Sequence, residues 1–226
     1  MNENEITGRS RSHIVELEMP SCALHYEAVA SYLAMRDAAR AAGIDLVARS
    51  SFRDFATQVA IWNGKWRGER PILSRDGRVL DRRRLSDNEM VDAILVWSAL
   101  PGGSRHHWGS DVDLIDTAAV PADYRVQLVP EEFAPDGVFA RLSQWLYENM
   151  ARFGFFRPYN TDRGGVSPEP WHLSYAPVAR PALESLSLPA LRRALADSDL
   201  EGKSEVLARL PEIYTRYLLN IDLPAV

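Results

Sequence analysis

Ser104-Arg105-His106-His107-Trp108-Gly109-Ser110-Asp111-Val112-Asp113 gathers two imidazoles and two carboxylates into one short run, and Glu169-Pro170-Trp171-His172 adds one of each further along the chain. Of five histidines in 226 residues, three fall in these two stretches. A catalytic zinc ion takes three protein ligands, commonly His and Asp or Glu, and keeps one position open. Cys22 is the lone cysteine, so neither an intrachain disulfide nor a thiolate zinc cluster can form. Any metal must be held by imidazole and carboxylate.

Working outward, Ser110 to Ile115 reads as a strand, with Val112 and Leu114 on one face and Asp111, Asp113 and Ile115 on the other. Gly109 lets the backbone bend, so a strand carboxylate can meet His106 on the preceding turn. His106, Asp113 and His172 then make a ligand set. Asp111 shares the strand face of Asp113, and the spacing alone leaves either carboxylate as the ligand. Pro170 forbids a helix interior, which puts Glu169 on a bend before a strand over Trp171 to Tyr175. From there a carboxylate can take the proton of an attacking water and pass it to a leaving amine.

Upstream, Ile44 to Ala48 reads as a short strand, and Ser51 with Asp54 resembles a capping box opening a helix through about Trp62. Arg53 falls at this strand-to-helix junction. A guanidinium stays charged at every working pH, which suits an oxyanion or a substrate carboxylate. A helix is expected from Tyr26 to Gly43, a loop or irregular hairpin over Gly64 to Leu85, and a helix in which Met90, Val91, Ile94 and Trp97 share one face. Val138 to Phe153 carries the strongest helical stripe, with Trp145 and Met150 expected in the core and Gly154 closing it. Two or three helices are expected from Ala190 to Asn220.

Helices mixed with few, non-alternating strands predict an α+β fold: a small antiparallel sheet flanked by helices. The expected organisation is an arm over residues 1–24, a peptidase domain over 25–180, and a helical C-terminal extension over 181–226 packed on the same domain. With 46% hydrophobic and 25% charged residues the composition is that of a globular protein. The net charge of -5 argues against a nucleic-acid partner, and Arg82-Arg83-Arg84 reads as a solvated loop face beside Asp81 and Asp87. Met1 to Pro20 has no continuous apolar run, so no membrane partner is expected and the cytoplasm is the expected location.

The ordered pattern Ser104-x-His106-x-x-Gly109-x-x-x-Asp113, then Glu169-x-Trp171-His172, resembles the signature of the VanY-type D-alanyl-D-alanine carboxypeptidases, a family of zinc metallopeptidases. Ser50-Ser51-Phe52-Arg53 with Gln58 is similar to that family's Ser-Gly-Tyr-Arg segment and the Gln after it. The resemblance covers roughly Gly43 to Tyr175. It implies one zinc ion on His106, Asp113 and His172, with Glu169 as catalytic acid and base and Arg53 as stabiliser of the transition state. It further implies that Ser104 and Gln58 line the substrate pocket, and a fold shared with the Hedgehog signalling proteins. The implied substrate is a small peptide, a peptidoglycan stem peptide or D-Ala-D-Ala.

Two departures stand out. Asp111 occupies a position where the family usually has a small residue, which brings extra negative charge close to the metal. Ser51 replaces the usual Gly. Within the family the open alternatives are an L,D-carboxypeptidase, a D,D-dipeptidase and an endopeptidase cutting between L-Ala and D-Glu. A rival of another class is a zinc-stabilised binding module, against which Glu169 and Arg53 speak, since a purely structural site needs neither. His107 is expected to point away from the metal, Trp108 and Trp171 to frame the site, and His13, His25 and Cys22 to be structural.

Overall fold

The computed structural model describes residues 1–224. A short helix α1 (Glu3–Ile6) and a hairpin of β1 (Ile14–Leu17) and β2 (Cys22–His25) precede helix α2 (Val29–Ala41) and strand β3 (Leu46–Ser50). Helices α3 (Phe55–Arg67) and α4 (Asp87–Leu95) lead to strand β4 (Asp111–Asp116). Helix α5 (Ala140–Asn149) is followed by the short strand β5 (Phe155–Phe156) and by β6 (His172–Tyr175). The C-terminal part is helical: α6 (Ala176–Ser185), α7 (Leu188–Ala196), α8 (Lys203–Ala208) and α9 (Leu210–Ile213), the last running into a π-helical turn over Tyr214–Leu218. No helix among the described residues is long and apolar enough to cross a membrane.

The central sheet has the order β3-β4-β6-β5, every neighbouring pair antiparallel, which is the expected α+β architecture. Alternation along β4 and β6 sends Val112, Leu114 and Leu173 into an apolar layer with Tyr32 and Met35 of α2 and Leu142 and Leu146 of α5. The opposite face carries Asp111, Asp113 and His172. A second apolar layer is built by Trp62 of α3, Met90, Val91 and Ile94 of α4, and Leu191, Leu195, Val206 and Leu210 of the C-terminal helices. Ile6 of α1 joins the same layer, and Trp108 inserts there with its indole N–H donating to the Ile6 carbonyl at 3.1 Å.

Several local expectations need correction. The helix after β3 is capped by Asp54, whose carboxylate accepts from the Thr57 amide at 2.7 Å, because Ser51 Oγ is occupied by the Ala23 amide at 3.0 Å. Trp97 lies beyond the end of α4, so it does not share that helix's face; its indole stacks on Trp171 with centroids 6.4 Å apart and donates to the Ser74 carbonyl at 2.9 Å. Trp145 and Met150 are only partly buried. Helix α6 was not expected, since Pro177 and Pro181 obscure its pattern; Pro177 falls in the first turn, where a missing amide costs nothing. The Gly64 to Leu85 stretch begins inside α3, contains the bridge Leu73 to Val79, and ends in a 3-10 turn over Arg82–Arg84 whose three arginines are exposed.

Candidate active site

Three neighbouring segments deliver the candidate ligands. Asp113 of β4 lies directly opposite His172 of β6 in the antiparallel ladder. His106 sits on a 3-10 turn over Arg105–Trp108, which ends at Gly109 in the left-handed conformation with φ 66°. A side chain at Gly109 would collide with Ile14 Cδ1 and the His25 backbone at about 2.5 Å, so only glycine lets this turn press against β2 before entering β4. One ligand atom each from His106, Asp113 and His172 lie within 4.8 Å of one another, and all three residues are buried.

Hydrogen bonds decide which ring nitrogens face the cluster. His106 Nδ1 lies 2.8 Å from the Ser51 carbonyl, which can only accept, so Nδ1 carries the proton and Nε2 presents its lone pair 3.4 Å from Asp113 Oδ2. His172 Nε2 lies 2.9 Å from Asp111 Oδ1 and donates to it, which turns Nδ1 toward Asp113 Oδ1 at 3.2 Å and Glu169 Oε2 at 3.3 Å. Burial alone would lower the imidazole pKa, but the three carboxylates raise it well above its ordinary value, so Nδ1 is free for a metal once that metal displaces its proton. Asp113 Oδ1 is buried without a hydrogen-bond partner among the described residues. Two imidazole nitrogens and an orphaned carboxylate oxygen aimed at one point form a donor set that fits zinc.

The Asp111 carboxylate is committed to other partners. It accepts from Arg105 Nε at 2.8 Å, from Ser174 Oγ at 3.0 Å, and from Ser110 Oγ. Burial alone would raise its pKa, but the Arg105 guanidinium and His172 hold it below the usual carboxylate range. Arg105 is itself buried, bonded through Nη2 to Ser174 Oγ at 2.6 Å and stacked over Trp108 with its guanidinium carbon 4.8 Å from the ring centroid. The Asp111 charge is neutralised by Arg105 behind the His106, Asp113 and His172 cluster. Its effect is to orient the His172 ring.

Glu169 is placed by a turn in which the His172 amide donates to the Glu169 carbonyl at 3.1 Å, while its own amide bonds the Tyr159 carbonyl at 2.9 Å. Burial raises its carboxyl pKa above the ordinary value, against the opposing pull of His172. Arg53 is held beside His106 by its amide, which donates to the His106 carbonyl at 3.2 Å. Its guanidinium makes no hydrogen bond or ion pair among the described residues, and Nε is buried without a partner.

These groups open onto one cleft of about 710 Å³, walled by Leu73, Trp97, Leu128, Val166 and Trp171. Ser104 lines it, and its buried hydroxyl has no hydrogen-bond partner among the described residues. Gln58 is placed differently. It is fully buried and donates to the Ala99 carbonyl at 2.8 Å, so it braces a cleft residue from behind. His107 points away from the cluster, Nδ1 donating to the Arg53 carbonyl at 2.6 Å and Nε2 accepting from the Gly102 amide at 3.0 Å. Burial lowers its pKa to about 3, which keeps it neutral in that role. His13 reaches the His107 carbonyl at 2.9 Å and is likewise part of the packing. Sequence reasoning missed Arg105, Ser174, Tyr159 and Lys65. Tyr159 and Lys65 line the cleft and fall outside the motifs, and Ser174 is tied to Asp111 only by the register of β4 and β6.

The family described as VanY: D-alanyl-D-alanine carboxypeptidase matches residues 21–178. An uncharacterized protein of Haemophilus influenzae is 34% identical over 122 residues, 53% of this chain and 93% of the relative. A D-alanyl-D-alanine carboxypeptidase of Enterococcus faecalis is 34% identical over 89 residues, 37% of this chain and 26% of the relative. Among solved structures, VanYB in complex with D-Alanine-D-Alanine aligns with a TM-score of 0.52 at 23% identity, covering 82% of this chain and 89% of that one. A mutant of the vancomycin resistance D,D-pentapeptidase VanY in complex with Zn(II) aligns with a TM-score of 0.51 at 21% identity, covering 87% and 92%. The fold is the same, the family match spans both motifs and the sheet that joins them, and the chain belongs to the VanY D-alanyl-D-alanine carboxypeptidase family.

Proposed function

We propose that the protein is a zinc-dependent carboxypeptidase that removes a C-terminal D-alanine from peptidoglycan-derived stem peptides. The observation that carries this reading is the meeting, in one cleft, of the His106, Asp113 and His172 cluster with a buried carboxyl of raised pKa and an unpartnered guanidinium. A site that only braces a fold has no use for the last two. His106, Asp113 and His172 would hold the ion. When bound, zinc supplies Lewis-acid polarisation of a carbonyl and lowers the pKa of water from about 16 to about 7.

Glu169 accepts the proton of the attacking water and returns it to the amine that leaves, so the carboxyl ends the cycle as it began. Arg53 donates N–H to the carbonyl oxygen as it gains charge, and needs no rearrangement because its guanidinium is not committed elsewhere. Ser104 Oγ offers the peptide a free hydroxyl. Ser51 and Asp111 hold the two imidazoles in the tautomers that the cluster requires. Trp97 and Trp171 form an apolar wall on which the small D-alanine methyl group can rest.

Incubating the purified protein with a stem pentapeptide, a stem tetrapeptide and free D-Ala-D-Ala, and weighing the products, tests the proposal. Release of one alanine from the pentapeptide, abolished by chelation and restored by zinc, is the expected result. Cleavage of the tetrapeptide, of the dipeptide alone, or between L-Ala and D-Glu would reassign the scissile bond. Zinc-dependent binding without any product would point to a recognition module.

A further inference from the structure

The cleft contains a cation that neither the ligand cluster nor the acid and base assignment uses. Lys65 lies on α3, about two helical turns beyond Gln58, and so on the same face of that helix. It is half-buried and lines the cleft. Its ammonium has no hydrogen bond and no ion pair among the described residues. The other cations of the cleft wall are committed: Arg75 to Asp162 at 2.9 Å and the Gly165 carbonyl at 2.6 Å, and Arg105 to Asp111 and Ser174. Of the cations lining the cleft, Lys65 and Arg53 remain free among the described residues.

The acids do not balance them. Asp113 belongs to the ligand cluster and Glu169 is the base, while Asp76 is bonded to Ser74 and paired with Arg78, and Glu131 sits on the exposed rim. With a divalent cation added, the interior of the cleft carries a surplus of positive charge. We propose that Lys65 binds the free terminal carboxylate of the substrate, so that the enzyme takes peptide ends in preference to interior or capped peptide bonds. This rests on the peptidase reading given above and specifies which end of the substrate enters.

The chemistry favours a carboxylate. In an exopeptidase the leaving residue carries an anion within a few ångströms of the scissile bond, whereas an endopeptidase has a neutral amide there. The Lys65 ammonium lines the same cleft as Glu169 and Arg53 and feels the charge of both. Burial, aided by Arg70 and Arg53 and opposed by Glu169, lowers its pKa to about 8, so the ammonium is poorly solvated and gains strongly from an incoming anion. The division of labour is then complete, with Lys65 on the carboxylate and Arg53 left free for the oxyanion.

The test uses two synthetic stem pentapeptides of identical sequence, one ending in a free carboxylate and the other in a carboxamide. Zinc-loaded wild type is expected to cleave the acid about 10- to 100-fold more efficiently than the amide, as a charge-assisted contact provides. Lys65→Met should lower kcat/KM on the acid by about the same factor, chiefly through KM, and collapse the preference toward unity. Lys65→Arg should restore most of it. Calorimetry of the acid and amide peptides on inert Glu169→Ala protein, with and without Lys65→Met, should give the same ratio in binding alone. Unchanged zinc affinity and unfolding midpoint would show that Lys65→Met is folded. If wild type prefers the acid and Lys65→Met prefers it equally, the assignment of Lys65 is wrong while the peptidase reading stands. If wild type cleaves neither peptide, both fall.

Discussion

Replacing Asp111 by Ala tests the idea that this residue is the hidden support of the metal cluster. Its fully buried carboxylate accepts from Arg105, His172, Ser174 and Ser110. Removal strands the Arg105 guanidinium, which is 3% exposed, already has one unpartnered nitrogen, and would keep only Ser174 Oγ and the Trp108 face. Breaking a buried ion pair from one side costs about 3–5 kcal/mol. The same deletion frees His172 to turn or to move its proton, a loss of support that lowers metal affinity by about 10- to 100-fold. Urea unfolding of the metal-free protein reads the first effect and chelator competition for zinc reads the second. Asp111→Asn separates them: its carbonyl can still accept from Arg105 and His172, so zinc affinity should stay within about tenfold of wild type while stability remains reduced. The sign with pH follows from the depressed pKa in the folded state. The contribution is fully present above the unfolded value of about 3.9 and disappears as pH falls through the folded one, so the gap between wild type and variant should close only below about pH 4. An Ala variant that binds zinc as tightly as wild type would refute the reasoning.

Glu169→Ala should lower turnover by about 10²- to 10⁴-fold while retaining zinc, measured by single-turnover kinetics beside metal content. Gly109→Ala forces a methyl group into Ile14 and the His25 backbone at a positive φ, and should destabilise by more than about 3 kcal/mol in urea unfolding. Because the Lys65 ammonium loses its proton near pH 8, KM for a peptide with a free carboxylate should rise as pH passes that value; the rise should be absent for the carboxamide peptide and for Lys65→Arg.

The candidate ligands and the candidate base could be picked out because the chemistry demands rare residue types at tight spacing: His106 and Asp113 either side of Gly109, and Glu169 three residues before His172. The strand carrying Asp113 and the stripe ending at Gly154 were legible because local periodicity records which face is buried. Helix α6 was not, since its two prolines imitate a loop, and the cap at Asp54 was misplaced because Ser51 is claimed by an amide from another part of the chain. Gln58 stands at the expected position, but its contacts put it behind the cleft wall.

By itself the chain determined which donor atoms exist, in what order, and on which local elements, because residue identity and backbone periodicity are local properties. Only the tertiary structure decided how those donors are presented. An imidazole has two nitrogens, and which of them faces the cluster is set by the acceptor at the other: the Ser51 carbonyl for His106 and Asp111 for His172. Those acceptors arrive from other segments through the pairing of β3, β4 and β6, and the turn at Gly109 folds the Arg105 charge back onto Asp111, which turns Asp111 from an intruder at the candidate cluster into its support. The same holds for Lys65, whose place in the cleft follows from the packing of α3 against α4 and the C-terminal helices.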